Sequence, residues 1–165
     1  MPAHRLSRRN TASVLPRNAT RARGFTLVEL LTVVAVLVVF AMIAVPSFNE
    51  LIASQRVQIA ATDLFTSLLR ARSQAIKQNT DVTLSAAGAW AAGWAVAAGG
   101  TNIDTHAATN DISISDPGVV TYRSSGRVAG ITKPKFSVSA TQTATKRCVQ
   151  VNLSGEPVIT SGACS

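Results

Sequence analysis

The sequence predicts an α+β fold, in which one long N-terminal helix packs on a small antiparallel β-sheet. Three observations predict it. Residues 25–45 are almost wholly apolar, residues 57–75 repeat apolar side chains at steps of four and three, and apolar and polar residues alternate after Thr80. The first two patterns are typical of a continuous helix, and the third is typical of strands with one buried face. No internal repeat or linker interrupts the pattern, so we expect one body at the end of the helix.

Residues 1–24 form a polar, basic leader with no apolar period. The whole chain of 165 residues has a net charge of +8, which alone would suggest a nucleic-acid or membrane-surface binder. Without the leader, 10 Lys and Arg face 8 Asp and Glu, a net charge of +2. Most of the basic charge therefore belongs to the arginines of the leader, which are Arg5, Arg8, Arg9, Arg17, Arg21 and Arg23.

Residues 25–45 are predicted to be the membrane-spanning half of the helix. They contain one charged residue, Glu29. As a helix with a rise of ~1.5 Å per residue they would span about 30 Å, the thickness of a bilayer's hydrocarbon core. Because arginines precede this segment and none follows it closely, we expect the N-terminus in the cytoplasm and the body outside it.

Residues 46–79 are predicted to continue the helix as an amphipathic half. Pro46 would interrupt the backbone hydrogen bonds and bend the axis. Asn79 tolerates a left-handed C-terminal cap, so we expect the helix to end there. The predicted apolar face is Val57, Ala61, Leu64, Leu68, Ala71 and Ala75, and the polar residues Asp63, Ser67, Arg70, Gln74 and Lys77 fall largely on the other sides.

Residues 80–165 are predicted to form the sheet, because short alternating segments recur between Gly, Pro, Asn and Asp residues. Residues 86–100, around Trp90 and Trp94, fit either a strand pair or a loosely built turn. Residues 99–111 are predicted to be a polar loop. The alternating groups are Val82/Leu84, Ile112/Ile114, Val120/Tyr122, Phe136/Val138 and Val149/Val151/Leu153.

Two cysteines, Cys148 and Cys164, lie in the part of the chain that is predicted to be exported. An oxidising compartment favours a disulfide between them, which would close the last hairpin through a turn at residues 154–157. The alternative is a pair of free, buried thiols. In either case we expect a structural role.

The segment Gly24-Phe25-Thr26-Leu27-Val28-Glu29-Leu30 joins the basic leader to the apolar run, and Pro46 follows the run. This arrangement resembles the class III signal of type IV prepilins and pseudopilins. More loosely, the layout of the whole chain is similar to the GspH/FimT family of minor pilins and pseudopilins. The resemblance implies a subunit that helps to initiate or cap a filament of a type IV pilus or a type II secretion system, and it leaves open which of the two.

The resemblance also implies roles for four residues. A prepilin peptidase would cut after Gly24, and the new N-terminal amine of Phe25 would be methylated. Glu29 would be a carboxylate in hydrocarbon, which is costly without a partner, and the amine of a neighbouring subunit's N-terminus would pair with it and set the axial stagger. Pro46 matches the position where pilin helices bend. The expected partners are other pilins, the peptidase and the bacterial inner membrane, with the body in the periplasm.

The N-terminal segment has two other interpretations. A secretory signal peptide would have a shorter apolar core followed by a small-x-small cleavage site, whereas residues 42–44 read Met-Ile-Ala before Val45-Pro46. A plain signal anchor leaves Glu29 unexplained. Both fit the residues less well than a prepilin signal.

No catalytic constellation is evident, so we expect neither enzymatic activity nor a cofactor. His4 lies in the leader, His106 lies alone in the predicted loop, and no Cys/His spacing suits a metal. Asp104, Asp111 and Asp116 would allow a cation site, although acids in such segments are more often solvated turn residues.

Capture of DNA by a FimT-type minor pilin, for uptake in natural transformation, is the alternative function. In some FimT-type pilins a Gly-Arg-x-Arg motif of the C-terminal hairpin binds DNA, but the corresponding turn here is Gly155-Glu156-Pro157-Val158, with an acid and a proline in place of the cations. Between Val120 and Val151, however, the chain has six cations, no acid, and the aromatic residues Tyr122 and Phe136, which would suit a polyanion. The competing interpretation is solvated strand edges. The six cations are Arg123, Arg127 (which follows Gly126), Lys133, Lys135, Lys146 and Arg147.

Overall fold

The computed structural model describes residues 24–165, so the predicted leader lies outside the described residues except for Gly24. The chain divides into two compact units, the first ending at Val39 and the second covering Phe40–Ser165. One long helix precedes eight strands, with a single turn of 3₁₀ helix at Trp90–Ala92 between the first two strands. The elements are α1 Leu27–Gln78, β1 Val82–Ser85, β2 Trp94–Ala98, β3 Thr101–His106, β4 Ser113–Ile114, β5 Val120–Tyr122, β6 Lys135–Ser139, β7 Lys146–Val151 and β8 Pro157–Ser161.

Helix α1 ends where Asn79 adopts a left-handed conformation, with φ 50°. The amide of Asn79 donates to the carbonyl of Ile76, and the amide of Thr80 donates to that of Ala75. These two bonds are those of a Schellman cap, which satisfies carbonyls that the helix would leave free. The helix is continuous through position 46, as the predicted single helix requires, and the bend at Pro46 stays a prediction.

The second half of α1 packs its predicted apolar face into the core, where all six of its residues are buried. The prediction that polar residues occupy the other sides is wrong for Ser67. This side chain is buried, and its Oγ accepts a hydrogen bond of 2.9 Å from Nε1 of Trp94. A small hydroxyl is tolerated in the core because it satisfies the indole N–H of a buried tryptophan.

The predicted α+β fold class is confirmed, but the strands form two antiparallel sheets instead of one. Sheet A has the order β3-β2-β1-β5, and sheet B has the order β4-β6-β7-β8. Trp90 and Phe136 meet edge to face between them, with ring centroids 4.8 Å apart. A period of two identifies the buried face of a strand but not its neighbour, so the sequence could not separate the sheets.

The strand-pair interpretation of residues 86–100 applies only to Trp94–Ala98, which forms β2. The prediction of a loop at residues 99–111 is wrong for Thr101–His106, which forms β3 at the edge of sheet A. The burial of β3 is low, so polar side chains are tolerated along it. Backbone pairing with β2 holds it in place, and backbone pairing leaves no mark on side-chain pattern.

The last hairpin joins β7 to β8 through a turn at residues 152–156. The amide of Asn152 donates to the carbonyl of Glu156, and the amide of Gly155 donates to the carbonyl of Asn152. Cys148 in β7 and Cys164 after β8 form a disulfide. The amide of Cys164 also donates to Oγ of Ser137 in β6, so the tail crosses from β8 towards β6.

Replacing both Cys148 and Cys164 by serine is expected to lower the free energy of unfolding by about 3 kcal/mol, because the 16-residue separation sets the chain entropy that the disulfide removes from the unfolded state. Urea unfolding of the two proteins, each with and without a reductant, would measure the difference. Reductant should destabilise the original protein and leave the double variant unchanged. Equal stability of the two proteins under oxidising conditions would contradict the prediction.

Candidate functional site

The segment at the start of α1 has a local structural role that the sequence analysis missed. Gly24, Phe25 and Thr26 precede the helix, and Oγ1 of Thr26 accepts a hydrogen bond of 3.1 Å from the amide of Glu29. This is an N-cap, and the Thr-x-x-Glu spacing is that of a capping box. Glu29 also lies in the first helical turn, where a negative charge is favourable.

The carboxylate of Glu29 has no ion-pair or hydrogen-bond partner among residues 24–165. Around it, the apolar side chains from Phe25 to Met42 are exposed, and the most apolar 18-residue window of α1 has no buried residue. By length and composition this part of α1 would cross a membrane. Such a surface needs lipid or protein to cover it, and so does the charge within it.

The three acids that would have allowed a cation site do not converge. Asp104 pairs with Arg70 at 2.5 Å, and Asp111 pairs with Arg56 at 2.7 Å. Within the described chain, no three His, Cys, Asp or Glu side chains are grouped as metal ligands would be. Each acid instead fastens a loop or an edge strand to the rest of the body.

The sequence suggested that His106 lies alone in a loop, but in the structure its side chain has three neighbours. Its ring stacks on that of Trp94, with centroids 4.0 Å apart and planes 4° apart. Its Nε2 lies 3.2 Å from Oδ2 of Asp63 on α1, and its Nδ1 lies 2.8 Å from the carbonyl oxygen of Ala107. Together with the Arg70–Asp104 pair, these contacts attach β3 to α1. These contacts give His106 and Asp63 a structural role in holding the edge strand.

Asp116 holds the loop before β5. Its Oδ1 accepts hydrogen bonds from the amide of Gly118 at 2.7 Å and from Nε1 of the buried Trp90 at 2.8 Å. These two donors, the amide first, hold the pKa of Asp116 below its ordinary value. The carboxylate form is therefore the one that the fold stabilises.

Asp116→Asn is expected to lower the melting temperature at pH 7 and to make the melting temperature depend less on pH in the acid range. A lowered pKa contributes stability above the ordinary aspartate pKa, near pH 4, and that contribution is lost as the pH falls through the folded-state value. The amide oxygen of asparagine can accept the same hydrogen bonds. The difference in melting temperature therefore reports the contribution of the negative charge. In thermal melts from pH 7 to pH 2, the melting temperatures of the original protein and the variant should converge. Asp81→Asn, at an exposed acid, is the control. A difference in melting temperature between the original protein and Asp116→Asn that widens on acidification would refute the stabilising role of the Asp116 carboxylate.

The structure divides the six cations of the proposed DNA-binding segment among different surfaces. Arg123 and Arg127 lie in a turn after β5, and Lys133 lies in the loop before β6. Lys135 and Lys146 lie near opposite ends of neighbouring strands, since Lys135 pairs with Gln150 while Lys146 pairs with Ser139. Arg147, also in β7, donates to Oγ of Ser161 at 2.6 Å.

The two aromatic residues of that segment cannot stack on bases. Tyr122 and Phe136 are both fully buried in the core, with 0% exposure. Binding of single-stranded nucleic acid usually combines a basic groove with exposed aromatic rings. DNA capture thus stays a prediction to which these positions lend no specific support.

Two turns meet at the end of the body where α1 terminates. In the 123–127 turn, the amide of Arg123 donates to the carbonyl of Arg127. In the 152–156 turn, Gly155 packs so closely that an added Cβ would lie 1.8 Å from the carbonyl oxygen of Gly126. The Gly126-Arg127 pair, which the sequence places well before the C-terminal hairpin, is therefore its neighbour in space.

Arg72 lies beneath the two turns and was missed by the sequence analysis. Its Nη2 is 3.4 Å from the carbonyl oxygen of Ser154, while its Nε and the hydroxyl of Tyr122 are buried without hydrogen bonds. Burial raises the pKa of Tyr122 well above its usual value, and the nearby guanidinium opposes that shift. The sequence signal that could have indicated the burial of Arg72 was its spacing, because it follows Leu68 by four residues and so lies on the edge of the apolar face.

Comparison with known proteins gives matches to two family models and to solved structures. Residues 60–155 match the model described as type II transport protein GspH, and residues 19–45 match the prokaryotic N-terminal methylation motif. Two crystal forms of the type IV minor pilin FimU from Pseudomonas aeruginosa have a similar fold at 19% identity, with TM-scores of 0.59 and 0.56. The first match covers 67% of this chain and 96% of FimU, and the second covers 66% and 99%. No curated protein sequence matches the chain.

Proposed function

This chain belongs to the GspH family of minor pilins and pseudopilins, and from that premise we propose that it is cut after Gly24, anchored in the inner membrane and built into a filament through the first half of α1. The single observation that carries the proposal is the carboxylate of Glu29, which has no partner among residues 24–165 and lies among exposed apolar side chains in the first half of α1. Within one subunit that arrangement is unfavourable, and packing against other subunits removes the cost.

The partner for Glu29 is the positively charged amine that cleavage creates at Phe25 of a neighbouring subunit. Charges of opposite sign attract strongly where water is excluded, so a single axial offset between subunits satisfies both groups. The Thr26 cap supports this role, because it fixes the start of α1 close to the new terminus. Glu29 thereby sets the axial offset between subunits during assembly, and the surrounding apolar side chains supply the contact area.

The periplasm is the proposed location of the body. The arginines of the leader favour retention of the N-terminus in the cytoplasm, and the Cys148–Cys164 disulfide suits an oxidising compartment. The exposed side of α1 within the body also carries apolar residues, Ile59, Leu69 and Ile76, which extend the contact surface beyond the membrane. In this position the body contributes to initiating or capping the filament.

N-terminal mass analysis of the protein from bacterial membranes tests the proposal. We expect a mature chain that begins at Phe25 and carries one methyl group on its amine. A chain that begins at Val45 would instead indicate a secretory signal peptide. A chain that retains the leader would indicate a plain anchor, and either result would refute the proposal.

A further inference from the structure

Charged side chains are paired along most of α1 in the body but unpaired at the end where α1 terminates. Arg56 and Arg70 each bind an aspartate. At the terminating end, four exposed cations have no ion-pair partner among residues 24–165. Ile131, an apolar residue, lies between two of these cations in the sequence. We name the four cations and Ile131 the helix-end surface: Lys77, Arg123, Arg127, Ile131 and Lys133.

Backbone and packing contacts bring these residues to the same end of the body. The 123–127 turn lies against the last turns of α1, where a Cβ on Gly126 would be 2.7 Å from Cδ1 of Ile76. The loop that carries Ile131 and Lys133 begins at Ala129, whose amide donates to the carbonyl of Thr121. It ends at Pro134, whose carbonyl accepts from the amide of Val151, just before the 152–156 turn.

The chemistry of this surface combines positive charge with exposed aliphatic side chains. Ile131 is 92% exposed at the tip of its loop, and Ile76 nearby is 52% exposed. Among residues 24–165, the acids at this end without an ion-pair partner are Asp81 and Glu156, so the four unpaired cations outnumber them two to one. No aromatic ring is exposed beside them in the described body. Aliphatic residues within a charged rim fit a protein surface better than a single-stranded nucleic acid, which is usually bound by a basic groove with exposed stacking rings.

We propose that the helix-end surface docks the body of a different pilin-like subunit, one that presents carboxylates around an apolar pocket for Ile131. The proposal rests on the filament function proposed above and names the chemistry of the neighbour. A second copy that packs its own helix-end surface against this one is disfavoured, because cations would then meet cations. In such an interface the buried aliphatic anchor supplies affinity, and the charged rim steers association and selects the partner.

Photo-crosslinking in cells of the source bacterium tests the proposal with the full chain. A photoreactive phenylalanine analogue replaces Ile131, and mass spectrometry identifies the adduct. We expect an adduct with another protein that carries a class III signal, attached at an acidic face of its body. The double variant Arg123→Glu/Arg127→Glu should reduce the adduct by about tenfold or more, since like charges would then meet at the rim. Lys146→Glu, which changes a cation of β7 outside the helix-end surface, should leave the adduct unchanged.

A second crosslinker position separates this proposal from the filament function. The analogue at Leu37, in the exposed apolar part of α1, should give pilin adducts whenever the filament assembles. Adducts at Leu37 with none at Ile131 would overturn the docking surface alone, whereas none at either position would overturn both proposals. A nuclease-sensitive adduct, an adduct with a second copy, or an adduct that survives the arginine reversal would also overturn the docking proposal. The Cys148–Cys164 disulfide, checked in each variant, reports that the body has folded, and leader cleavage reports that the chain has reached the membrane.

Discussion

Gly24→Leu is expected to leave the protein with its leader attached and absent from filaments. Glycine has no side chain, so the peptidase can enclose the peptide bond that follows it, and an isobutyl group would occupy that space. The retained leader would also keep the amine of Phe25 within a peptide bond, so no positive charge would be available for Glu29 of a neighbour. We expect cleavage and filament entry to fall together below detection.

Gly24→Ala is the matched control, because it adds a single methyl group at the same position. Immunoblotting of membrane and sheared-filament fractions would show the precursor and the mature chain by size, and the alanine variant should retain a substantial part of the processing. Normal filament entry of an uncleaved leucine variant would show that neither the free amine nor the cut is needed, and it would refute the assembly mechanism.

Gly155→Ala is expected to destabilise the body by about 3 kcal/mol or more, which corresponds to a fall of roughly 10 °C in melting temperature. Two effects combine at this position. The backbone has φ of 86°, which side chains with a Cβ rarely adopt, and the new methyl would lie 1.8 Å from the carbonyl oxygen of Gly126. Because that neighbour is backbone, the two turns must separate, and the contact of Ser154 with Arg72 would weaken.

Gly99→Ala separates the two effects. Gly99 also has a positive φ, 56°, but nothing lies within 4 Å of an added Cβ. Its substitution should therefore cost about 1 kcal/mol, the strain of the left-handed conformation alone. Thermal melts of the two variants would measure the difference. If they lost equal stability, the contact between the 123–127 and 152–156 turns would not contribute.

The parts of the fold that the sequence predicted depend on short-range rules. The end of α1 at Asn79 follows from the conformations that one residue tolerates, and the buried row from Val57 to Ala75 follows from the helical period. Strand β3 was missed because its side chains are mostly exposed and polar, so its only signal is pairing with β2. The separation into two sheets was missed for the same reason, since period-two segments do not record their neighbours.

The candidate site divides in the same way. The roles of Gly24, Phe25 and Glu29 were predicted from the chain alone, because a peptidase and a bilayer read a linear segment whose length and charge need no tertiary structure. The function of the basic residues was not readable, because strands scatter Lys135 and Lys146 along sheet B. Residues that are close in the sequence need not be close in space, because side chains alternate between the two faces of a strand and neighbouring strands run in opposite directions.

The sequence by itself predicted an anchored filament subunit with one body, since hydrophobic length, leader charge and the Gly24–Glu29 segment act locally. Tertiary structure alone decided which side chains meet. It placed Arg72 beneath two turns, one of them 82 residues away, paired Asp104 and Asp111 with arginines of α1, and gathered Ile131 with unpaired cations at the end of the helix. Such contacts join segments far apart in the chain, and their geometry depends on how the sheets pack, which no local pattern of residues encodes.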